Sequence, residues 1–241
     1  MFWKKTRAAI ARFHPLHQTL VWQHTLAASM PVDDWAQLVH SLSGHETVVR
    51  RRRWALPPRV MGVLVPLVQT LGEDVAPGGP LTVEADLRGE NPPEKAGQHY
   101  QLPAHGRIRK LTEWFVVDPW LRIGAELDDG SRLEVRVVDR IRHRKIHKIG
   151  ASGKRKVAHK TRRTQVLRCR RVLPRGVAGT RPTQPPPAWI RVAVKDGRRR
   201  TITATVKSDR IPQGGDQVDL ILTTLVELFR WTPPTTARRI G

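Results

Sequence analysis

Leu133-Glu134-Val135-Arg136-Val137-Val138 alternates apolar and polar side chains, and Arg140-Ile141-Arg142-His143-Arg144-Lys145-Ile146-His147-Lys148 follows it. Gly150-Ala151-Ser152-Gly153 interrupts, and Lys154-Arg155-Lys156 leads back to Val166-Leu167-Arg168-Cys169-Arg170-Arg171. Period-two alternation on both sides of a glycine-bounded break reads as a β-hairpin. From Arg140 to Arg171 there are fourteen Lys or Arg and no Asp or Glu. The stretch that decides the fold therefore also concentrates the charge.

Register can be argued from the apolar positions. Side chains opposite each other in an antiparallel pair share a face, so one apolar set must meet another. Leu133, Val135, Val137 and Ile141 on the way out, and Leu167, Cys169 and Leu173 on the return, are all odd-numbered. Opposed positions must then sum to an even number, which excludes an unbulged four-residue loop over 150–153. A three-residue loop, Ala151-Ser152-Gly153, satisfies the parity. It sets residue 150 opposite 154, 137 opposite 167 and 135 opposite 169, with Gly153 at the left-handed position that such a loop needs.

Past Ile141 the odd positions become His143, Lys145 and His147, so the apolar face stops. The expectation is a two-stranded basic arm, residues 139–165, reaching roughly 25 to 30 Å beyond its sheet at about 3.3 Å per residue. A ribbon of that kind is marginal alone in water and is ordered by what it binds.

Working outward, a net charge of +22 in 241 residues, with a pI near 11.5, points to a polyanionic partner, nucleic acid being the commonest. The candidate phosphate contacts are Arg140, Arg142, Arg144, Lys145, Lys148, Lys154, Arg155, Lys156, Lys160, Arg162 and Arg163, with a second group at Arg50, Arg51, Arg52 and Arg53. If six to ten of them neutralise phosphates, affinity for duplex DNA falls by about three to five decades between 50 and 200 mM salt. Gln165 is the nearest amide side chain and no aromatic interrupts the hairpin, which favours duplex or backbone-shape recognition, of DNA or RNA, over sequence-specific single-strand binding.

The N-terminal part reads as helical. Phe2, Thr6, Ala9, Ile10 and Phe13 recur at helical spacing, residues 16–30 are ambiguous, and Pro31-Val32-Asp33-Asp34-Trp35 opens a helix in which an aspartate caps the free amides. Trp35, Leu38, Val39 and Leu42 form its stripe and Gly44 closes it. Val60–Leu71 is a buried helix or strand, and Pro77-Gly78-Gly79-Pro80 marks a boundary. Strands are expected over 81–87, 107–117 and 120–127, separated from one another by a long loop over 89–106 and a break at Asp118-Pro119, with Trp114 and Trp120 in the sheet. Asp128-Asp129-Gly130 is a tight turn. After a Pro/Gly linker, Trp189–Val194 and Thr201–Val206 form another hairpin, and 218–231 is helix or strand.

The expected fold is thus α+β. A helical segment, 1–76, precedes an antiparallel sheet or small barrel, 80–173, carrying the basic hairpin; a linker, 174–187, a second small β unit, 188–232, and a basic tail, 233–241, follow. No run approaches the ~20 apolar residues of a membrane span. The lone Cys169 favours a core thiol in a non-oxidising compartment, cytoplasmic or nucleoid-associated. An acid-free stretch over 1–32 also suits organelle import.

No residue set calls for a cofactor, and His14, His17, His24, His40 and His45 lack the spacing of a metal site. Asp118 or Asp129 followed by Glu134-Val135-Arg136 resembles the Asp, then Glu-x-Lys, pattern of restriction-type nucleases, with Arg136 where that pattern has lysine. Three functions follow: a non-enzymatic nucleic-acid-binding protein, a structural subunit whose arm inserts into a neighbouring protein or nucleoprotein, and a metal-dependent nuclease.

Overall fold

A computed structural model describes residues 2–50, 52–177 and 179–232, and backbone only for Phe2 and Trp3. The helices are α1 (Phe2–Ile10), α2 (Pro15–Gln23), α3 (Val32–Ser43), α4 (His45–Val48), α5 (Val65–Gly72) and α6 (Gly214–Phe229). The strands are β1 (Thr25–Pro31), β2 (Pro80–Asp86), β3 (Tyr100–Leu102), β4 (Ile108–Glu126), β5 (Arg132–Ile149), β6 (Arg155–Val172), β7 (Ile190–Lys195) and β8 (Thr201–Ser208). They form one open antiparallel sheet in the order β1-β2-β4-β5-β6-β8-β7, with β3 added to β4. The chain is α+β, and the sheet does not close into a barrel.

The helices lie on one face. Leu81, Val83, Ile123, Val135, Val137, Leu167, Cys169, Ala204 and Val206 pack in a single apolar cluster with Leu38, Leu67, Ile221 and Leu228. At ~1.5 to 3 kcal/mol for each large apolar side chain removed from water, this layer dominates the stability. Cys169 is fully buried there, and burial pushes its thiol above the usual range.

β5 and β6 pair without interruption, with Val137 opposite Leu167 and Val135 opposite Cys169, the register required by the parity of their apolar residues. At the turn Gly150 donates its N–H to the Lys154 carbonyl at 2.8 Å, and Gly153 sits at φ +75°.

The free-standing two-stranded arm does not form. β4 runs beside β5 from Glu126 out to Ile108, so the segments read as two strands are one strand of 19 residues. A register shift between Asp118 and Leu121 absorbs Pro119, which has no N–H to give to the ladder. The loop expected over 89–106 contributes a 3-10 turn, Pro93–Lys95, and β3 on the outer side of β4. What extends past the helices is therefore a sheet of four strands, narrowing toward its tip.

The hairpin expected after the linker forms as β7 and β8, but β8 pairs with β6, so the second β unit belongs to the same sheet. The 174–187 segment is held along its length: Thr180 donates to the Trp231 carbonyl and Arg230 to that of Gln184, both at 2.9 Å or less. The stretch expected as helix or strand is helical up to Phe229, within α6, whose Val218, Ile221, Leu225 and Leu228 bury at helical spacing. α3 begins as expected, but its N-cap residue is Pro31 with no side-chain cap; Asp33 and Asp34 lie in the first turn, where they complement the helix dipole. The basic tail, 233–241, lies outside the described residues.

The N-terminal helices are tied by a directional hydrogen-bond chain. His45 Nε2 faces the Trp54 carbonyl at 3.0 Å, and a carbonyl only accepts, so that nitrogen carries the proton. Neutral His45 then accepts at Nδ1 from His17 Nε2 at 2.9 Å, and His17 Nδ1 accepts from the Ser41 hydroxyl at 2.9 Å. Ser41 in turn accepts the His14 N–H. Burial, with His45 beside it, lowers His17 to about 4.

Candidate functional site

Beyond the helical layer, the pleat sorts the basic residues between two faces. Even-numbered residues of β5 and β6 point away from the helices, because the odd-numbered ones enter the core. Arg140, Arg142, Arg144 and Lys148 of β5 therefore share the helix-free face with Lys156, Lys160 and Arg162 of β6. Lys145, Arg155 and Arg163 lie on the other face, and Lys154 closes the turn.

Register sets like charges directly opposite one another: Arg142 against Arg162, Arg144 against Lys160, and Lys148 against Lys156. Such pairs are destabilising. Few carboxylates relieve them. Glu113 of β4 accepts from Arg144 and lies 3.9 Å from Arg142; Asp209, at the rim, takes Arg162 at 2.8 Å. Among the described residues, no carboxylate lies within ion-pair distance of Arg140, Lys145, Lys148, Lys154, Arg155, Lys156 or Lys160. The even face continues toward the sheet's centre with Arg136 opposite Arg168, and with Lys207 on β8.

β4 and β3 complete this face with residues that sequence reading did not assign to it. Phe115 stands opposite Arg142 and Val117 opposite Arg140. Tyr100 stands opposite Glu113. Tyr100 is 50% exposed, Phe115 41% and Val117 47%. On the opposite face His99, Trp114 and His143 stack in a row, with ring centroids 4.7 and 5.1 Å apart. The statement that no aromatic interrupts the basic hairpin holds for β5 and β6 alone; the aromatics come from their neighbours.

The base of the extension is pinned by buried ion pairs. Asp118 and Asp139 oppose each other across β4 and β5, each with its own cation: Lys95 at 2.7 Å for Asp118, Arg59 at 2.5 Å for Asp139. Burial pushes Asp118 upward despite Lys95. Arg59 also covers the Trp120 ring at 4.1 Å, and Gln165 donates to Asp139 at 2.7 Å. Arg163 reaches Glu90 at 2.9 Å, which turns it toward this base and away from the cationic face.

No protein-family model, curated protein or solved structure matches this chain. The site is thus read from its own chemistry.

Other candidates are not brought together. Arg50 and Arg52 line a separate depression with His45, Glu46, Val49 and Met61, which shares only Pro57 and Pro58 with the depression at the base of β5. Arg52 and Arg53 open a 3-10 turn ending at the buried Trp54, and Arg51 lies outside the described residues. The nuclease-like acids point to different places. Asp118 faces the helical side with Lys95, Asp129 accepts from Arg171 and from the Ser131 N–H, and Glu134 accepts from Arg122 and Arg136 on the helix-free face. Among the described residues no three His, Cys, Asp or Glu are grouped to hold a metal ion, and no helix is long and apolar enough to cross a bilayer.

Proposed function

We propose that the protein binds nucleic acid by its phosphate backbone, through the helix-free face of β5 and β6. The observation that carries this is the set of like-charged pairs Arg142–Arg162, Arg144–Lys160 and Lys148–Lys156 on one open face. Protection of a sheet edge explains part of the charge. Among the described residues β6 is unpaired on its outer side over 155–164, because β8 begins its pairing at Gln165, and lysines there blunt strand addition. β5 has a neighbour on each side, so its Arg140, Arg142, Arg144 and Lys148 guard no edge. A polyanion lying across both strands relieves the repulsion and gains the interaction.

Seven cations engaged on this face give a slope of log affinity against log salt of about −6 for duplex DNA and about −5 for a single strand. Titration of labelled DNA and RNA from 50 to 200 mM salt measures it; the reading predicts a loss of roughly three decades for a single strand and nearly four for duplex DNA. Salt-independent binding, or none, overturns it. The same face also suits an acidic surface of a larger assembly, and purification of the native complex distinguishes that partner by whether nucleic acid accompanies the protein.

A further inference from the structure

On the basis of that reading, we infer that the preferred ligand is a single strand, with phosphates on β5 and β6 and unstacked bases on Phe115 and Tyr100. The helix-free face of the extension is divided lengthwise. β5 and β6 present Arg140, Arg142, Arg144, Lys148, Lys156, Lys160 and Arg162; β4 and β3 present Val117, Phe115 and Tyr100. Neighbouring strands are ~4.8 Å apart, so the apolar strip lies one or two strand spacings from the cationic strip. A single strand has that division itself, with charge along one side and aromatic faces along the other.

Rows across the sheet make the match residue by residue. Phe115, Arg142 and Arg162 form one row, and Tyr100, Glu113, Arg144 and Lys160 form the next. Phe115 is two residues along β4 from Glu113, which places it diagonal to Tyr100 on the same face, within reach for large aromatic side chains. Among the described residues Glu113 is the one carboxylate between the strips, and Arg144 and Arg142 occupy it. A duplex hides its base faces, so it leaves Phe115 and Tyr100 without partners; a single strand uses both strips.

The test compares a labelled single-stranded DNA, a single-stranded RNA and a duplex of the same sequence on the full chain. Variants are Phe115→Leu, Tyr100→Leu and Phe115→Trp. Exposed positions tolerate these changes, and unchanged thermal unfolding confirms that each variant folds. Single strands bind more tightly than the duplex. Phe115→Leu and Tyr100→Leu each weaken single-strand binding by roughly 5- to 150-fold, with the salt slope intact, and Phe115→Trp retains affinity. Leucine variants that bind as the wild type, with the steep salt slope preserved, overturn the stacking and leave the phosphate reading standing. Loss of salt-dependent binding in the wild type removes the phosphate reading itself.

Discussion

β5 and β6 are each 18 residues long and pair in one unbroken register, yet their two halves differ in everything except the backbone. In the helix-covered half, Val135, Val137, Leu167 and Cys169 are at most 1% exposed, and a cation on the same face must be satisfied internally. Arg171 is the example. Its odd number turns it inward, where it reaches Ser131, Asp129 and Thr232 and lies over the Phe229 ring at 4.2 Å. In the open half, Lys156, Lys160 and Arg162 carry the same charge as Arg171, but they face water. Hydrogen-bonded pairing extends the sheet; burial is concentrated at its base, Ile146 being the buried side chain farthest out on β5. The outer half is thereby free to use its side chains on a partner.

The largest expected effect breaks this contrast at the two arginines. Arg171→Ala leaves Asp129 and Ser131 without their partner beside a buried site and costs about 3 to 5 kcal/mol of unfolding free energy. Arg162→Ala, on the same strand, changes it by no more than ~0.5 kcal/mol. Chemical denaturation of the two variants measures both. Equal losses would mean that the outer half is packed as tightly as the inner.

Acid probes the helix-covered part through its buried histidines. His17 sits at about 4 in the folded chain against 6.5 when exposed, so between those values the unfolded chain binds the extra proton. Stability is therefore fully present above about pH 6.5 and is lost as pH falls toward about 4, by up to ~3 kcal/mol. The wild type shows this slope in denaturation at stepped pH, and His17→Leu flattens it, leaving the part that the buried His45, also lowered, contributes.

A smaller effect isolates the tip. A Cβ at Gly153 meets nothing within 4 Å, so Gly153→Ala carries only the conformational cost of φ +75°, about 1 to 2 kcal/mol. Amide exchange should quicken by roughly 5- to 30-fold at the outer-half pairs such as Lys148–Lys156 and stay unchanged at Val135 and Val137. Acceleration throughout would show the two halves opening as one unit.

Much of this was readable in the sequence where two local signals agreed. The parity of Leu133, Val135, Val137, Leu167 and Cys169, together with Gly153, is enough to determine the β5–β6 register. The same parity marks Arg171 as inward-facing. What the sequence hid was the company of the hairpin. Asp118-Pro119 reads as a strand break, and only the register shift on β4 shows how a proline is carried through the ladder. Tyr100-Gln101-Leu102 is too short for periodicity to identify, so the aromatic strip that flanks the cations was invisible. Val218–Trp231 is apolar enough to suit either period, and only packing against β6 and β8 selects the helix. The arginine run at 50–53 was conspicuous in composition and lies apart from the cationic face.

The central claim is that the outer half of β5 and β6 is a phosphate-binding surface, and the salt dependence of binding tests it most directly. Arg140, Arg142, Lys148, Lys156, Lys160 and Arg162 are replaced together by glutamine, leaving Arg144 to hold Glu113. For a single-stranded ligand the slope of log affinity against log salt should shrink by about 4 relative to the wild type, with the unfolding transition preserved. An unchanged slope would contradict the account and place the binding elsewhere on the chain.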